Sequence, residues 1–294
     1  MTRAPRARPS RSSVAANGEA LQPIAAKFAT LRATGRKALI PYLMSGFPSR
    51  RQFVEMLVAA LDCGADLVEI GAPFSDPLAD GPVIQAAGHR SLQQGTTLRT
   101  TLEDVERPLA SRIDVPALLM SYVNPMRALG FDELASQCAR AGIRGWIVPD
   151  RDLEDFGELL DPAARHDLDV VPLLAPTTPQ ERMGKVLRGA SGFVYLVSLT
   201  GVTGARKNLS LDVKKYAQAV RRHTSLPLCV GFGIASGEQA REATRFTDGV
   251  IVGSALLEPF LHDPYPAALR KMTSLLREIR QALDRNDRSS TNDR

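Results

Sequence analysis

Short apolar runs rich in Val, Ile and Leu recur along the chain and alternate with longer segments of helical periodicity. Runs that are apolar throughout, without alternating polar positions, are typical of parallel strands that helices cover on the outside. The eight candidate strands are KALIPYL, DLVEIG, ALLMSY, GWIVP, DVVPLL, FVYLV, LCVGF and GVIVG. Eight parallel strands form a closed barrel, so the pattern predicts a single (β/α)8 TIM barrel, an α/β fold, over residues 21–283.

Several of the segments between these strands carry a helix start signal, a Ser, Asp or Pro. We predict that helices begin near Ser49, Pro82, Phe131, Leu153, Pro179, Leu211, Ser236 and Pro264. No linker rich in Pro, Gly and Ser interrupts the rhythm, which favours one domain. An open doubly wound sheet is the alternative, but the first strand is not followed by the Gly-x-Gly-x-x-Gly turn typical of nucleotide-binding sheets.

Composition and charge narrow the function classes. Hydrophobic residues make up 44% and charged residues 23% of the 294 residues, which is typical of a globular protein with a large core. Of the net charge of +5, four arginines and one glutamate place three units in residues 1–20. The rest of the chain carries a net charge of only about +2, which is too small to indicate nucleic-acid binding. We expect residues 1–20 to be a disordered basic extension, with a targeting role as the alternative, and residues 284–294 to be a disordered tail.

The cysteines and histidines give no sign of a metal site or a disulfide framework. Cys63, Cys138 and Cys229 lie in apolar contexts without Cys-x-x-Cys spacing, which indicates buried, reduced thiols and a reducing, cytoplasmic compartment. The four histidines fall in helical or turn segments with no ligand spacing: His89, His166, His223 and His262. No apolar stretch is long enough to span a bilayer, so we expect neither a membrane nor a metal partner.

Glu69 stands inside the apolar strand DLVEIG, where a residue that fills the barrel would be expected. Apolar surroundings favour the neutral form of a carboxyl group, which makes a glutamate usable as a general acid near neutral pH. The alternative is a structural ion pair. The loop that follows carries Asp76 and Asp80 between three prolines, so its backbone is restricted and the acids are presented in a fixed geometry. A solvated surface loop is the plainer reading of that segment.

Glycines follow the last three strands, in SLTGVTG (Ser198 to Gly204), GFG (Gly231 to Gly233) and the pair Gly253–Ser254. Glycine lets backbone N–H groups approach an anion, and barrels commonly bind phosphate with the loops after strands seven and eight and a short extra helix, here near Ser254. Turn glycines are common, so each loop is weak by itself. Taken together, the residues indicate a cofactor-free barrel enzyme that acts on a phosphorylated substrate.

The segment EIGAPFSDPLADGPVIQ, Glu69 to Gln85, closely resembles the signature of the tryptophan synthase alpha chain family. The resemblance extends in order through ALIPYLMSGFP, MSYVNP, APTTP, YLVSLTGVTG, GFGI and DGVIVGSA. It implies a lyase that cleaves indole-3-glycerol phosphate into indole and glyceraldehyde 3-phosphate without a cofactor. It also implies a partner, a pyridoxal-phosphate-dependent beta subunit in an α2β2 heterotetramer.

The resemblance also implies roles for individual residues. Glu69 would protonate C3 of the indole and help to remove the glycerol hydroxyl proton, while Asp80 would hold the indole N–H and stabilise the charge on the ring. Tyr195 would lie near Glu69, and Thr203 would close over Asp80. The residues that would enclose the indole are Tyr42, Ile84, Met120, Phe232 and Ile251. Those that would bind the phosphate are Gly204, Gly233, Gly253 and Ser254.

The chain departs from the family pattern at Met44–Ser45, at Arg151–Asp152 and at Leu199, none of which removes a catalytic group. Other functions remain open at this point. They are a stand-alone lyase that releases free indole, an indole-glycerol-phosphate synthase, whose lysine pattern is not seen, and a silent barrel that only activates a beta subunit.

Overall fold

The strands of the computed structural model lie in the predicted places, with one difference. The structure describes residues 22–151, 157–197, 209–231 and 233–285. Its strands are β1 Ala38–Met44, β2 Val68–Gly71, β3 Ala117–Met120, β4 Ile143–Ile147, β5 Asp169–Val171, β6 Leu173–Leu174, β7 Val194–Val197, β8 Leu228–Gly231 and β9 Gly249–Val252.

The predicted fifth strand, DVVPLL, is divided into β5 and β6 at Pro172. Proline has no backbone N–H, so it cannot donate to a neighbouring strand. β5 pairs with β4 and β6 pairs with β7, while the carbonyl of Pro172 accepts the N–H of Tyr195 at 2.9 Å. All neighbouring strands are parallel and follow the order β5-β4-β3-β2-β1-β9-β8-β7-β6, so this one segment closes the ring. The prediction of an eight-membered barrel is confirmed, since β5 and β6 share one position.

Helices cover the outside of the strands. In the described part of the chain they are α1 Pro23–Ala33, α2 Arg50–Asp62, α3 Pro82–Gln93, α4 Leu98–Ala110, α5 Val123–Leu129, α6 Phe131–Ala141, α7 Gly157–Arg165, α8 Gln180–Val186, α9 Leu209–Arg221, α10 Gly237–Thr244, α11 Ser254–Leu257, α12 Pro259–His262 and α13 Tyr265–Asp284.

Most predicted helix starts are confirmed. The hydroxyl groups of Ser49 and Ser236 cap α2 and α10 by accepting backbone N–H groups of the first turn. The short helix predicted near Ser254 is α11. The start predicted at Leu153 lies outside the described residues, as do the predicted extension 1–20 and residues 286–294 of the predicted tail. Asp284, placed in that tail, is the last residue of α13. The helices α1, α4, α5 and α12 were not predicted, because one main helix was assumed for each strand.

The amino-terminal face of the barrel is closed by α1. Ile24, Phe28 and Leu31 of this helix are buried, and the ring of Phe28 lies 5.8 Å from that of Phe193, next to the start of β7. The opposite face, where the strands end, is therefore the one that can admit a ligand. No helix in the described part of the chain is long and apolar enough to cross a membrane.

The predicted burial of the cysteines is confirmed. All three cysteines are free and buried, and Trp146 is fully buried in β4, where its indole N–H points at the sulfur of Cys138 at 3.3 Å. Three of the four histidines are exposed and His166 is half-buried. Among the described residues there is no group of three or more His, Cys, Asp and Glu side chains that could hold a metal.

Candidate active site

A cavity of about 740 Å³ opens at the carboxyl-terminal ends of the strands. Both predicted catalytic acids and five of the residues predicted to surround the substrate line this cavity. They are Glu69 and Asp80, with Tyr42, Ile84, Met120, Tyr195 and Ile251. The described glycine-loop residues Gly233, Gly253 and Ser254 also line it. Thr203, Gly204 and Phe232 lie outside the described residues. Segments far apart in the sequence thus converge on one concave wall, the usual place for a site in this fold.

Glu69 is fully buried in β2, in register between Tyr42 of β1 and Leu118 of β3. Neither of its carboxyl oxygens has a hydrogen-bond partner among the described residues. The alternative that Glu69 serves a structural ion pair therefore finds no support. Burial, and to a smaller extent the charge of Asp80, raises the pKa of Glu69 to about 8. The group is mainly protonated at neutral pH and can donate a proton into the cavity.

Asp80 lies at the end of the loop after β2 and is partly exposed to the cavity. Burial raises its pKa to about 6, and a hydrogen bond from the hydroxyl of Tyr122 acts in the opposite direction. Its own backbone is fixed, because its N–H donates to the carbonyl of Pro77 and its carbonyl accepts the side-chain amide of Gln85 at 2.8 Å. Asp80 is mainly ionised at neutral pH, unlike Glu69. The two acids thus hold opposite protonation states in one cavity.

Two tyrosines complete the wall around the acids. Burial and the charges of Asp80 and Glu69 raise the pKa values of Tyr42 and Tyr195 well above the ordinary range, so both keep their hydroxyl protons. Tyr42 fits because Gly71 has no side chain: a β-carbon at Gly71 would lie 2.1 Å from the Tyr42 hydroxyl. Any larger residue at position 71 would displace this ring.

The other end of the cavity is formed by Gly233, Gly253 and Ser254, with Ala235 and Ala255 beside them. Gly233 has φ +43°, a conformation that side-chain-bearing residues rarely adopt, and a β-carbon there would meet nothing within 4 Å. The backbone at this end is thus bare toward the cavity and can present N–H groups to an anion.

The sequence analysis missed three residues near the acids. Asp150 and Arg151 follow β4 and line the cavity, and Tyr122 follows β3 and contacts the Asp80 loop. All three lie just beyond the carboxyl end of a strand, and the rule that catalytic groups of this fold lie there was used for the glycine loops. Applied to every strand, that rule would have found them. Arg151 is the one basic side chain among the described residues that line the cavity.

Comparison with known proteins identifies the family. The model of the family described as tryptophan synthase alpha chain matches residues 28–284. The tryptophan synthase alpha chain of Chloroflexus aggregans is 44% identical, over 88% of this chain and 97% of its own length. The chain belongs to the tryptophan synthase alpha chain family.

Other family members agree in sequence and structure. The tryptophan synthase alpha chain of Synechococcus elongatus is also 44% identical, over 88% of this chain and 96% of its own length. The crystal structure of tryptophan synthase subunit alpha from Legionella pneumophila has a TM-score of 0.82 and 34% identity, and covers 90% of this chain and 99% of its own. A structure of Mycobacterium tuberculosis tryptophan synthase has a TM-score of 0.80 and 34% sequence identity, and the match covers 88% of this chain and 97% of that one. The tryptophan synthase alpha fold therefore spans nearly all of the described chain.

Proposed function

We propose that Glu69 and Asp80 together cleave indole-3-glycerol phosphate in the cavity described above. This cleavage is the activity of the family to which the chain belongs, in tryptophan biosynthesis. The observation that carries the assignment is the difference between the two acids: a fully buried glutamate with a pKa of about 8 faces an aspartate with a pKa of about 6. Carboxyl groups whose environments separate their pKa values are suited to separate acid and base roles.

The steps follow from these protonation states. Protonated Glu69 donates its proton to C3 of the indole, and the ring becomes positively charged at nitrogen. Ionised Asp80 accepts a hydrogen bond from the ring N–H and stabilises that charge. The carboxylate left on Glu69 then removes the proton of the hydroxyl on the adjacent glycerol carbon. The carbon–carbon bond breaks, its electron pair returns to the ring, and indole, glyceraldehyde 3-phosphate and protonated Glu69 result.

The substrate fits the two ends of the cavity. Tyr42, Ile84, Met120, Tyr195 and Ile251 offer the apolar surface that would enclose the indole, and the bare backbone at Gly233, Gly253 and Ser254 would bind the phosphate. The roles of Thr203, Gly204 and Phe232 remain expectations from the family. Glu69 carries out both proton transfers, Asp80 stabilises the charge between them, and the carbon–carbon bond breaks as the second proton is removed.

Replacing Asp80 by Asn tests the assignment. The amide keeps the shape and can still hydrogen-bond, but it carries no charge to stabilise the ring cation. We expect kcat for indole release from indole-3-glycerol phosphate to fall about 10²- to 10³-fold, with a much smaller change in KM. A correctly folded Asp80→Asn protein with unchanged kcat would remove Asp80 from the mechanism.

Replacing Gly233 by Val tests the phosphate-binding end of the cavity. The larger side chain would hinder binding of the phosphate, so this variant should raise KM far more than it lowers kcat.

The chain acts with a beta subunit, as its family does. We propose an α2β2 assembly in which indole passes to the pyridoxal-phosphate-dependent beta subunit. We also propose that the chain is cytoplasmic. Three free, buried thiols are consistent with a reducing compartment, and the family acts in biosynthesis. The test is to mix the chain with a cognate beta subunit, to measure the size of the complex by gel filtration and to assay indole release. We expect a complex of α2β2 size and faster indole release. A stand-alone lyase would show neither a complex nor acceleration.

A further inference from the structure

Tyr122 lies at the junction of three elements near the cavity. It follows β3, it is the residue before α5, and its side chain is buried. The side chain reaches from β3 to the loop after β2, where its hydroxyl oxygen accepts the backbone N–H of Ala79 at 3.0 Å. Ala79 is the neighbour of Asp80 in the chain. Tyr122 therefore contacts the backbone that presents the catalytic aspartate.

The Tyr122 hydroxyl also bonds to the aspartate itself. A hydrogen bond from it to the Asp80 side chain lowers the pKa of that carboxyl group, against the effect of burial, while its oxygen accepts the Ala79 N–H. A phenol has one proton to give and lone pairs to receive, so both bonds form at once. The pair of bonds holds two consecutive residues of the loop to one side chain.

Two further contacts fix Tyr122. Its ring stacks on that of Phe74, with centroids 5.1 Å apart and an interplanar angle of 30°. The next residue, Val123, donates its N–H to both carboxylate oxygens of Asp150, at 3.0 and 3.3 Å. Tyr122 is thus held from the loop side by Phe74 and from the β4 side by Asp150, so its hydroxyl has a defined position.

We propose that Tyr122 is a positioning residue for Asp80, which holds the carboxylate at the cavity wall and maintains it in its ionised form. A hydrogen bond donated to a carboxylate stabilises the charged state. Neutral Asp80 could not stabilise a positively charged ring. The other titratable groups that face Asp80 are Glu69 in β2, Tyr42 in β1 and Tyr195 in β7. None of these forms a hydrogen bond to Asp80 among the described residues, so Tyr122 is the neighbour that can lower the pKa of Asp80 and keep it ionised.

The direct test is to measure the pKa of Asp80 in the Tyr122→Phe variant. The full chain is labelled with ¹³C at the aspartate carboxyl, Asp80 is assigned by its loss in Asp80→Asn, and its chemical shift is followed with pH. Loss of a hydrogen bond to a charged group should raise the midpoint by about one to two pH units. Tyr216→Phe is the matched control, because its buried hydroxyl has no partner among the described residues. That variant should leave the midpoint unchanged.

The kinetic test rests on the proposed function of Asp80. In Tyr122→Phe the acid limb of the kcat profile should move to higher pH by the same amount, giving about a tenfold loss near pH 6 and a smaller loss near pH 8. KM should change little. A purely structural role would lower activity equally at all pH values, and that result would overturn the proposal.

A second variant keeps the proposal testable if Tyr122→Phe folds poorly. Incorporation of 3-fluorotyrosine at position 122 keeps the ring and makes the hydroxyl a stronger donor, so the Asp80 midpoint should move down. An Asp80 midpoint that does not move in either variant would refute the role of Tyr122, even if Asp80→Asn is inactive. Full activity in Asp80→Asn would instead refute the proposed function, while the titration would still decide on Tyr122.

Discussion

Asp66 and Glu69 lie three residues apart, one just before β2 and the other inside it, and both carboxyl groups are buried. Asp66 faces the amino-terminal side of the barrel, where it accepts the N–H of Leu39 at 3.0 Å and a guanidinium N–H of Arg280 at 2.6 Å. Arg36 lies 3.7 Å away as a second cation. Glu69 faces the cavity and has no partner among the described residues.

The difference separates an acid that maintains the structure from the acid that we propose to be catalytic. A buried charge that is paired and hydrogen-bonded maintains the structure, and its removal leaves the partner charge uncompensated. A buried carboxyl without partners keeps its proton and costs stability when it ionises, but it can react. The side of the barrel toward which a residue points, and not its distance along the chain, thus decides its role.

The largest expected effect is on catalysis. Glu69→Gln keeps the shape of the side chain but cannot donate and then accept a proton, so we expect indole release to fall by about 10³-fold or more, with or without a beta subunit. Indole release from indole-3-glycerol phosphate measures it. The variant should still bind a cognate beta subunit and stimulate serine-dependent formation of tryptophan from added indole. Substantial lyase activity would refute the acid–base role of Glu69.

Asp66→Asn should have the reverse profile. The amide can still accept the Leu39 N–H, but it leaves the buried Arg280 with only the more exposed Asp284 as an ion-pair partner. We therefore expect a loss of about 3 kcal/mol in the free energy of unfolding, measured by denaturant titration. The kcat of the folded protein should remain close to that of the parent. Asp62→Asn is the matched control, because Asp62 pairs with Arg112 at the surface and such pairs contribute at most about 1 kcal/mol. Equal losses in the two variants would break the comparison.

The last effect is gradual and concerns the pH dependence of stability. The pKa of Glu69 rises from 4.5 to about 8 on folding, so its neutral form contributes stability that is complete below pH 4.5 and is lost as the pH rises through 8. Glu69→Gln cannot ionise. Its stability relative to the parent should therefore increase with pH, by at most about 1.4 kcal/mol per pH unit between these limits, and level off above pH 8. A constant difference from pH 5 to 9 would show that Glu69 is not buried as a neutral acid.

Some of the site could be predicted from the sequence, because it follows from local patterns. Glu69 interrupts an apolar run, and the loop to Asp80 and the three glycine loops follow strand ends, so parallel strands bring them to one face. Tyr122 was missed, since its importance depends on a bond to Ala79, 43 residues away. The division of the fifth strand at Pro172 depends on two different neighbouring strands, which one strand pattern cannot show.

By itself, the sequence determined the barrel, its strands and the family, because apolar periodicity and contiguous motifs are properties of neighbouring residues. Only the tertiary structure decided that Asp66 is paired and Glu69 is not. The partner of Asp66, Arg280, lies 214 residues further along the chain, and closure of the ring brings α13 against the start of β1 and the segment before β2. Glu69 points into the barrel, where its carboxyl oxygens have no hydrogen-bond partner among the described residues. Desolvation depends on what surrounds a group in three dimensions, so its reactivity is fixed when the barrel closes.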